Sequence, residues 1–317
     1  MAERNVRRPR RDISGILLLD KPIEVSSNRA LQRCKGVFRA RKAGHTGSLD
    51  VLATGLLPIC FGEATKICGF LLDADKTYVT DIKLGETTTT GDSEGAILHQ
   101  VEDFVVSRTQ IEESLSQFQG EIQQIPPMYS ALKRNGQRLY KLARKGVAIE
   151  REARSVTIHK IELLGVTAKT LSVSVVCSKG TYVRTLAQDI GEALGCGAHV
   201  TSLRRTETGP YSINHSFEMS ELHRRRENSE QDELLDEILL PVDSALQHIP
   251  DLDLSDSCAL SVSQGRAIRV GGAPAQGLVR LYASERRFIG IGRVLEDGRV
   301  APRRLMRESN HGVGAKS

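Results

Sequence analysis

Tryptophan is absent from this 317-residue chain, and aromatic residues make up only 4% of it. A core must therefore come from aliphatic side chains, for which 39% hydrophobic residues suffice. Cysteines stand alone at positions 34, 60, 68, 177, 196 and 258. No Cys-x-x-Cys pair occurs, which excludes a zinc ribbon, and Cys196 with His199 is too small a set for a metal site. Isolated thiols suit a reducing cytosol. No apolar run approaches the roughly 18 residues a membrane span requires. The short "ISGILLL" run lacks the sequel of a secretory signal. No Gly-Lys-Ser/Thr follows a glycine-rich loop, so a Walker-type nucleotide site is excluded as well. A cytoplasmic protein without a zinc or nucleotide-loop site is expected, with nothing demanding more than a monomer.

Positive charge is present and clustered. The net charge is only +5, but Arg4, Arg7, Arg8, Arg10 and Arg11 crowd the N-terminus, and Arg29, Arg33, Lys35, Arg39, Arg41 and Lys42 form a second group. Clustered guanidinium groups displace counterions from a phosphate backbone, so nucleic acid is the expected partner.

Hydrophobic patterning divides the chain. Residues 13 to 19 read as a buried strand stopped by Asp20-Lys21-Pro22. Ser27 or Asn28 is expected to cap a helix carrying Ala30, Leu31, Cys34, Val37 and Phe38 on one side. A strand at 56 to 62 and a helix at 63 to 72 follow. Residues 76 to 85 alternate, placing Tyr78, Thr80, Ile82 and Leu84 on one strand face. A polar connection, a helix near 109 to 119, and strands at 155 to 164 and 171 to 178 precede an amphipathic helix with Val183, Leu186, Ile190 and Leu194 inward. Helices and strands interleave without a regular β-α-β repeat, which predicts a mixed α+β sheet fold and not a doubly wound one. The charged segment 218 to 237 reads as an exposed helical stretch. From 251 onward short strands and turns, Asp297-Gly298 among them, predict a small all-β domain. The division expected is a basic tail (1–12), a catalytic unit (13–250), a β unit (251–308) and a disordered tail (309–317).

The stretch "GHTGSLDVLATG", residues 44 to 55, sets Asp50 beside glycines that allow a ligand to come close. Asp50 serves either as a turn cap or as a reacting carboxylate. In "GTYVRT", Tyr182 and Arg184 stand at a helix start, and an arginine fork there either meets solvent or holds a carboxylate. Tyr78 is either core or a platform for a stacked base. His45 is a loop histidine.

These stretches, together with "LLLDKP", "DKTYVTDIKLG", "IPPMYSALKRNGQRLYKLARKG" and "CSKGTYVRTLAQDIGEALGCGAHVTSLRR", resemble the bacterial TruB family of tRNA pseudouridine synthases, which act on uridine-55 of the T arm. The resemblance runs from about residue 13 to 215 and resumes near 265 to 305. It implies the pseudouridine synthase fold, a mixed, mainly antiparallel central sheet flanked by helices, with a PUA-like C-terminal RNA-binding domain. It also implies roles. Asp50 is the catalytic carboxylate, which Arg184 orients and whose pKa Arg184 depresses. Tyr78 stacks on the uracil, and Tyr182 lines the same pocket. Leu203 bounds the pocket and offers backbone groups to the base. His45 enters the space left by the flipped base. Lys21 and Pro22 shape the pocket floor. The basic stretches at 29 to 42 and 133 to 145 bind phosphates of the T arm. One departure stands out: many members have proline after the aspartate, where this chain has Val51, expected to loosen the loop slightly.

Overall fold

Alternate residues of the apolar run near the N-terminus belong to two different cores. Leu17 and Leu19 pack into one cluster, Ile16 and Leu18 into another. A continuous apolar run is what a strand buried on both faces requires. The computed structural model describes residues 9–130, 132–134, 136–147, 149–227 and 232–307. Most of the two expected tails, with Arg4, Arg7 and Arg8, lies outside the described residues.

The first half of the chain comprises β1 (Gly15–Lys21), α1 (Ser27–Val37), β2 (Ala43–His45), β3 (Thr54–Phe61), α2 (Cys68–Asp73), β4 (Lys76–Leu84), β5 (Glu86–Thr88), β6 (Ile97–Gln100), α3 (Arg108–Gln117) and β7 (Gly120–Gln124). Next come β8 (Lys133–Arg134), β9 (Gln137–Arg138), α4 (Leu139–Ala143), β10 (Arg154–Val166), β11 (Thr170–Cys177), α5 (Val183–Ala193) and β12 (Ala198–Thr208). The remainder holds β13 (Tyr211–Ser212), β14 (Phe217–Glu218), α6 (Met219–Glu227), α7 (Glu233–Asp236), β15 (Asp251–Asp253), α8 (Asp256–Ser263), β16 (Gly277–Ala283), β17 (Arg287–Val294) and β18 (Val300–Leu305).

The central sheet runs β14-β1-β3-β12-β4-β11-β10-β7, with β13 on β12 and β2 on β3. Its pairings are antiparallel except β1 with β14 and β3 with β12. This is the mixed, mainly antiparallel sheet expected from the sequence. Helices α1, α3 and α5 cover one face through Ala30, Leu31, Cys34, Ile111, Leu115, Leu186 and Ile190. The other face packs under Ile67, Leu71, Leu246 and Ile249.

Three local expectations are revised. Ser26, not Ser27 or Asn28, caps α1, its side chain accepting from the Arg29 amide. The helix expected over 63 to 72 is split into a 3-10 turn at Gly62–Lys66 and the short α2. The charged segment 218 to 237 is not wholly exposed: Met219, Leu222 and Leu235 enter the main core. Charge is retained around them, because Asp232 receives Arg11, Arg39 and Arg226.

The C-terminal unit is a four-stranded sheet, β15-β16-β17-β18, to which the eight-residue α8 adds a helix that the strand pattern did not include. Ile291 of this sheet joins the cluster of Ile16 and Leu18, so the two units share apolar surface. Lys66 Nζ donates to the Leu305 carbonyl at 2.7 Å, and the Arg307 amide donates to Glu63 at 2.6 Å. No helix among the described residues is long and apolar enough to cross a membrane.

Candidate active site

Asp50 lies in the connection between β2 and β3, and one glycine in that connection and one at the start of β3 take left-handed backbone. Gly47 has φ +97° and Gly55 has φ +102°. At Gly55 a Cβ would come 2.3 Å from the Arg205 carbonyl oxygen, so only glycine lets the start of β3 lie this close to β12. The loop is tied from outside by α1 and the turn before it. Ser27 Oγ accepts from the Leu49 amide at 2.8 Å and donates to its carbonyl at 3.0 Å, and the Glu24 amide donates to the Val51 carbonyl at 3.0 Å. The carbonyl of Val51 is thereby anchored to the turn before α1.

Arg184 comes from the first turn of α5. Its Nε lies 2.9 Å from Asp50 Oδ2. The other arms are committed: Nη1 donates to the Thr90 carbonyl at 2.9 Å and Nη2 to the Tyr129 carbonyl at 2.8 Å. The Arg184 side chain is 4% exposed, while that of Asp50 is 42% exposed. The guanidinium is thus a fixed, buried cation, and the carboxylate looks outward from it. Planar forks of this kind give directional as well as electrostatic hold.

A second carboxylate shares the cation. Asp92 Oδ2 stands 3.6 Å from Arg184 Nη1 and its side chain is 4% exposed. Thr90 Oγ1 and the Glu94 amide both donate to Asp92 Oδ1. Asp92 is carried in by backbone bonds to β12, from the Ser93 amide to the Val200 carbonyl and from the Val200 amide to the Gly91 carbonyl, each 3.0 Å. Sequence reasoning missed it inside a polar connection. The signal was an Asp directly after a turn glycine, which is common in loops.

Burial pushes the Asp50 carboxyl above its ordinary pKa, Arg184 pulls it down, and Asp92 pushes it up again. The net direction is upward. Arg184 depresses the Asp50 pKa in the expected sense, and desolvation outweighs it. Lys21 is fully buried and donates to the Pro22 and Val25 carbonyls at 2.9 and 2.7 Å. Burial brings its pKa down to about 8, opposed by the Asp50 charge.

The other candidates surround this pair to different degrees. Tyr78 on β4 pairs in register with Arg205 on β12. Burial raises its hydroxyl pKa, opposed by Arg205, and the nearby Asp50 charge adds to the rise. Tyr182 immediately precedes α5 and is locked by Gln124, which accepts from its amide at 3.0 Å and donates to its carbonyl. Burial raises the Tyr182 pKa too, with Asp50 contributing. Leu203 is 8% exposed and pairs with Thr80 in the β4-β12 ladder, a place that suits a pocket wall. His45 ends β2, opposite Ile59. Arg205, to which the sequence reading gave no role, is 1% exposed and donates from Nε to the Leu56 carbonyl at 2.7 Å and from Nη2 to the Gly47 carbonyl at 3.3 Å. It fastens the Asp50 loop to the strand that carries Leu203.

The second basic group divides. Arg29 and Arg33 are exposed along α1, whereas Arg39 is engaged by Asp232 and Arg41 lies 2.9 Å from Asp12. In the stretch from 133 to 145, Lys141, Arg144 and Lys145 are exposed.

A half-exposed carboxylate thus lies on a buried guanidinium that Asp92 shares, with Tyr78 and Tyr182 close by. Fold and sequence agree: this is a pseudouridine synthase. Residues 35–183 match the N-terminal domain of TruB family pseudouridylate synthases, 184–247 the C-terminal domain of tRNA pseudouridylate synthase B, and 250–306 the C-terminal region of pseudouridine synthase II TruB. The chain is 55% identical over 302 residues to tRNA pseudouridine synthase B of Pseudomonas putida strain GB-1, covering 95% of this chain and 98% of that protein. It is 54% identical to tRNA pseudouridine synthase B of Stutzerimonas stutzeri strain A1501, again over 95% of this chain and 98% of that protein. Among solved structures it resembles the crystal structure of a Cbf5-Nop10-Gar1 complex, with a TM-score of 0.71 at 25% identity over 92% of this chain and 84% of that one. The chain belongs to the TruB family.

Proposed function

We propose that this chain converts uridine to pseudouridine in tRNA, at uridine-55 of the T arm, with Asp50 as the reacting carboxylate. The observation that carries the reading is the 2.9 Å contact between Asp50 and Arg184. The reaction cuts the N1–C1′ bond, turns the uracil and rejoins it through C5. No atom leaves and no electron is transferred. The carboxylate opens this sequence in one of three ways: attack at C1′, attack at C6, or removal of a 2′ proton. Each needs Asp50 ionised and aimed; the buried guanidinium aims it and opposes, without outweighing, the rise that burial gives its pKa.

The target base must leave its stack, at a cost of a few kcal/mol. Stacking on Tyr78 offsets roughly 1–3 kcal/mol of this. Tyr182 and Leu203 wall the pocket, and His45 fills the space vacated by the base. Exposed Arg29 and Arg33, with Lys141, Arg144 and Lys145, bind phosphates of the arm. Shape of a folded RNA loop dominates recognition. Residues 13–250 form the catalytic unit, and 251–308 form a PUA-like unit that extends the RNA surface. Such an enzyme works as a monomer in the bacterial cytoplasm, where tRNA is processed. Incubating the purified chain with unmodified tRNA and mapping pseudouridine tests the reading. Product confined to position 55 supports it; no product, or product elsewhere in the tRNA, contradicts it.

A further inference from the structure

We propose that the Ser27 hydroxyl is a positioning group for Asp50. The proposal rests on the reading of Asp50 as the reacting carboxylate, and it starts from a hydroxyl that the helix does not use. Ser26 is the cap of α1, accepting from the Arg29 amide at 3.3 Å. Ser27, the first helical residue, is 4% exposed and turns its side chain toward the loop of the carboxylate. Its oxygen satisfies both backbone groups of one residue, accepting from the Leu49 amide at 2.8 Å and donating to the Leu49 carbonyl at 3.0 Å.

Leu49 directly precedes Asp50, and it is itself buried at 6% exposure. On the other side, the Glu24 amide holds the Val51 carbonyl at 3.0 Å. Asp50 is thus bracketed by two neighbours, both fastened to residues 24–27. That segment is in turn held by Lys21, whose ammonium donates to the Pro22 and Val25 carbonyls. Glu24 takes a left-handed conformation, φ 62°, to bring its amide round. The strap fixes the loop backbone from outside while Arg184 fixes the carboxylate from inside. Removing the hydroxyl leaves two buried backbone groups of Leu49 without this partner and lets residue 50 drift from Arg184.

The test uses the full chain with Ser27→Ala, reading single-turnover rate at saturating tRNA, tRNA Kd, and the pH dependence of the rate. A displacement of about 1 Å at a reacting group costs on the order of 100-fold. Ser27→Ala is therefore expected to slow turnover by about 10- to 100-fold, with Kd within about threefold of the parent, a change of under about 1 kcal/mol. The acid limb should move to higher pH, because Asp50 loses part of the Arg184 interaction that keeps it ionised. A merely structural serine would not move that limb. A normal rate in Ser27→Ala, or a slowed rate with the limb unmoved, overturns the proposal. If Ser27→Ala does not yield folded protein, Ser27→Thr decides: a normal rate and limb support the hydroxyl's role, and a change in either overturns it. Asp50→Asn run in parallel separates the two readings. Product from Asp50→Asn sinks the assignment of the carboxylate itself; an inactive Asp50→Asn beside a normal Ser27→Ala sinks only the strap.

Discussion

Arg184 reaches Asp50 through Nε at 2.9 Å while its two terminal nitrogens are held by the carbonyls of Thr90 and Tyr129. The guanidinium cannot follow the carboxylate; the carboxylate must come to it. Replacing Arg184 with lysine keeps a charge but not three directions of donation. Turnover should fall at least about 100-fold in Arg184→Lys, with tRNA Kd changed by less than threefold, or about 0.7 kcal/mol. Arg184→Ala also leaves the buried Asp92 without its cation, and should cost about 3–5 kcal/mol of stability in a denaturant titration. An equal loss of binding and turnover in Arg184→Lys would count against the role of the pair.

Asp92 competes with Asp50 for the same cation and pushes the Asp50 pKa up. Asp92→Asn removes that charge. The acid limb of the single-turnover rate should therefore move to lower pH, even where the maximal rate falls. A limb that stays in place would show that Asp92 does not act on Asp50 electrostatically.

The net rise of the Asp50 pKa has a sign for stability. The folded state binds this proton more tightly than the unfolded chain does. The contribution of Asp50 to stability is therefore fully present below its ordinary pKa of 3.8 and is lost as pH rises through the raised value. At neutral pH the ionised carboxylate is held against its own preference. Asp50→Asn should thus not lower the melting temperature at pH 7, and differential scanning calorimetry on the two proteins reads this directly. The activity of the parent should fall on the acid side at a pH above that of an ordinary aspartate.

Tyr78 offers a ring and a hydroxyl, and the hydroxyl lies near Arg205 and Asp50. Tyr78→Phe retains the stacking surface, so tRNA affinity should stay within about twofold, about 0.4 kcal/mol, while single-turnover chemistry slows. Unchanged chemistry would confine Tyr78 to stacking. Tyr78→Leu should in addition lose roughly 1–3 kcal/mol of base stacking.

Exposed cations on α1 and along 141–145 predict a steep salt dependence. Observed tRNA affinity should fall linearly on a log-log plot against salt, and Arg29→Ala with Arg33→Ala should flatten the slope by about 1.4 to 1.8 together. Arg39→Ala should change the slope less, because Asp232 holds the Arg39 side chain, 19% exposed, against the protein. A flat profile in the parent would remove these helices from the footprint.

Elements written in a single period were legible from residue order. The continuous apolar run of β1, the alternation of β4 and the stripe of α5 each state their own geometry, so Tyr78 could be placed on β4, Tyr182 and Arg184 at the start of α5, and Asp50 in a glycine-bearing loop. What the sequence hid was relational. Asp92 and Arg205 matter because β12 brings Gly91, Leu56 and Gly47 alongside the site, and no local pattern encodes that approach. The balance of the Asp50 pKa depends on the protein around a loop aspartate, the Asp92 charge included, so an arginine seen in sequence could not set its direction. The split between Arg33 and Arg39 follows from a distant aspartate, Asp232, in a segment that read as mere surface.

The most direct test is single-turnover formation of pseudouridine by Asp50→Asn on unmodified tRNA, with tRNA Kd measured on the same preparation. The account predicts no detectable product and a Kd within tenfold of the parent, or about 1.4 kcal/mol. Pseudouridine formed at the parental rate by the asparagine protein would contradict it.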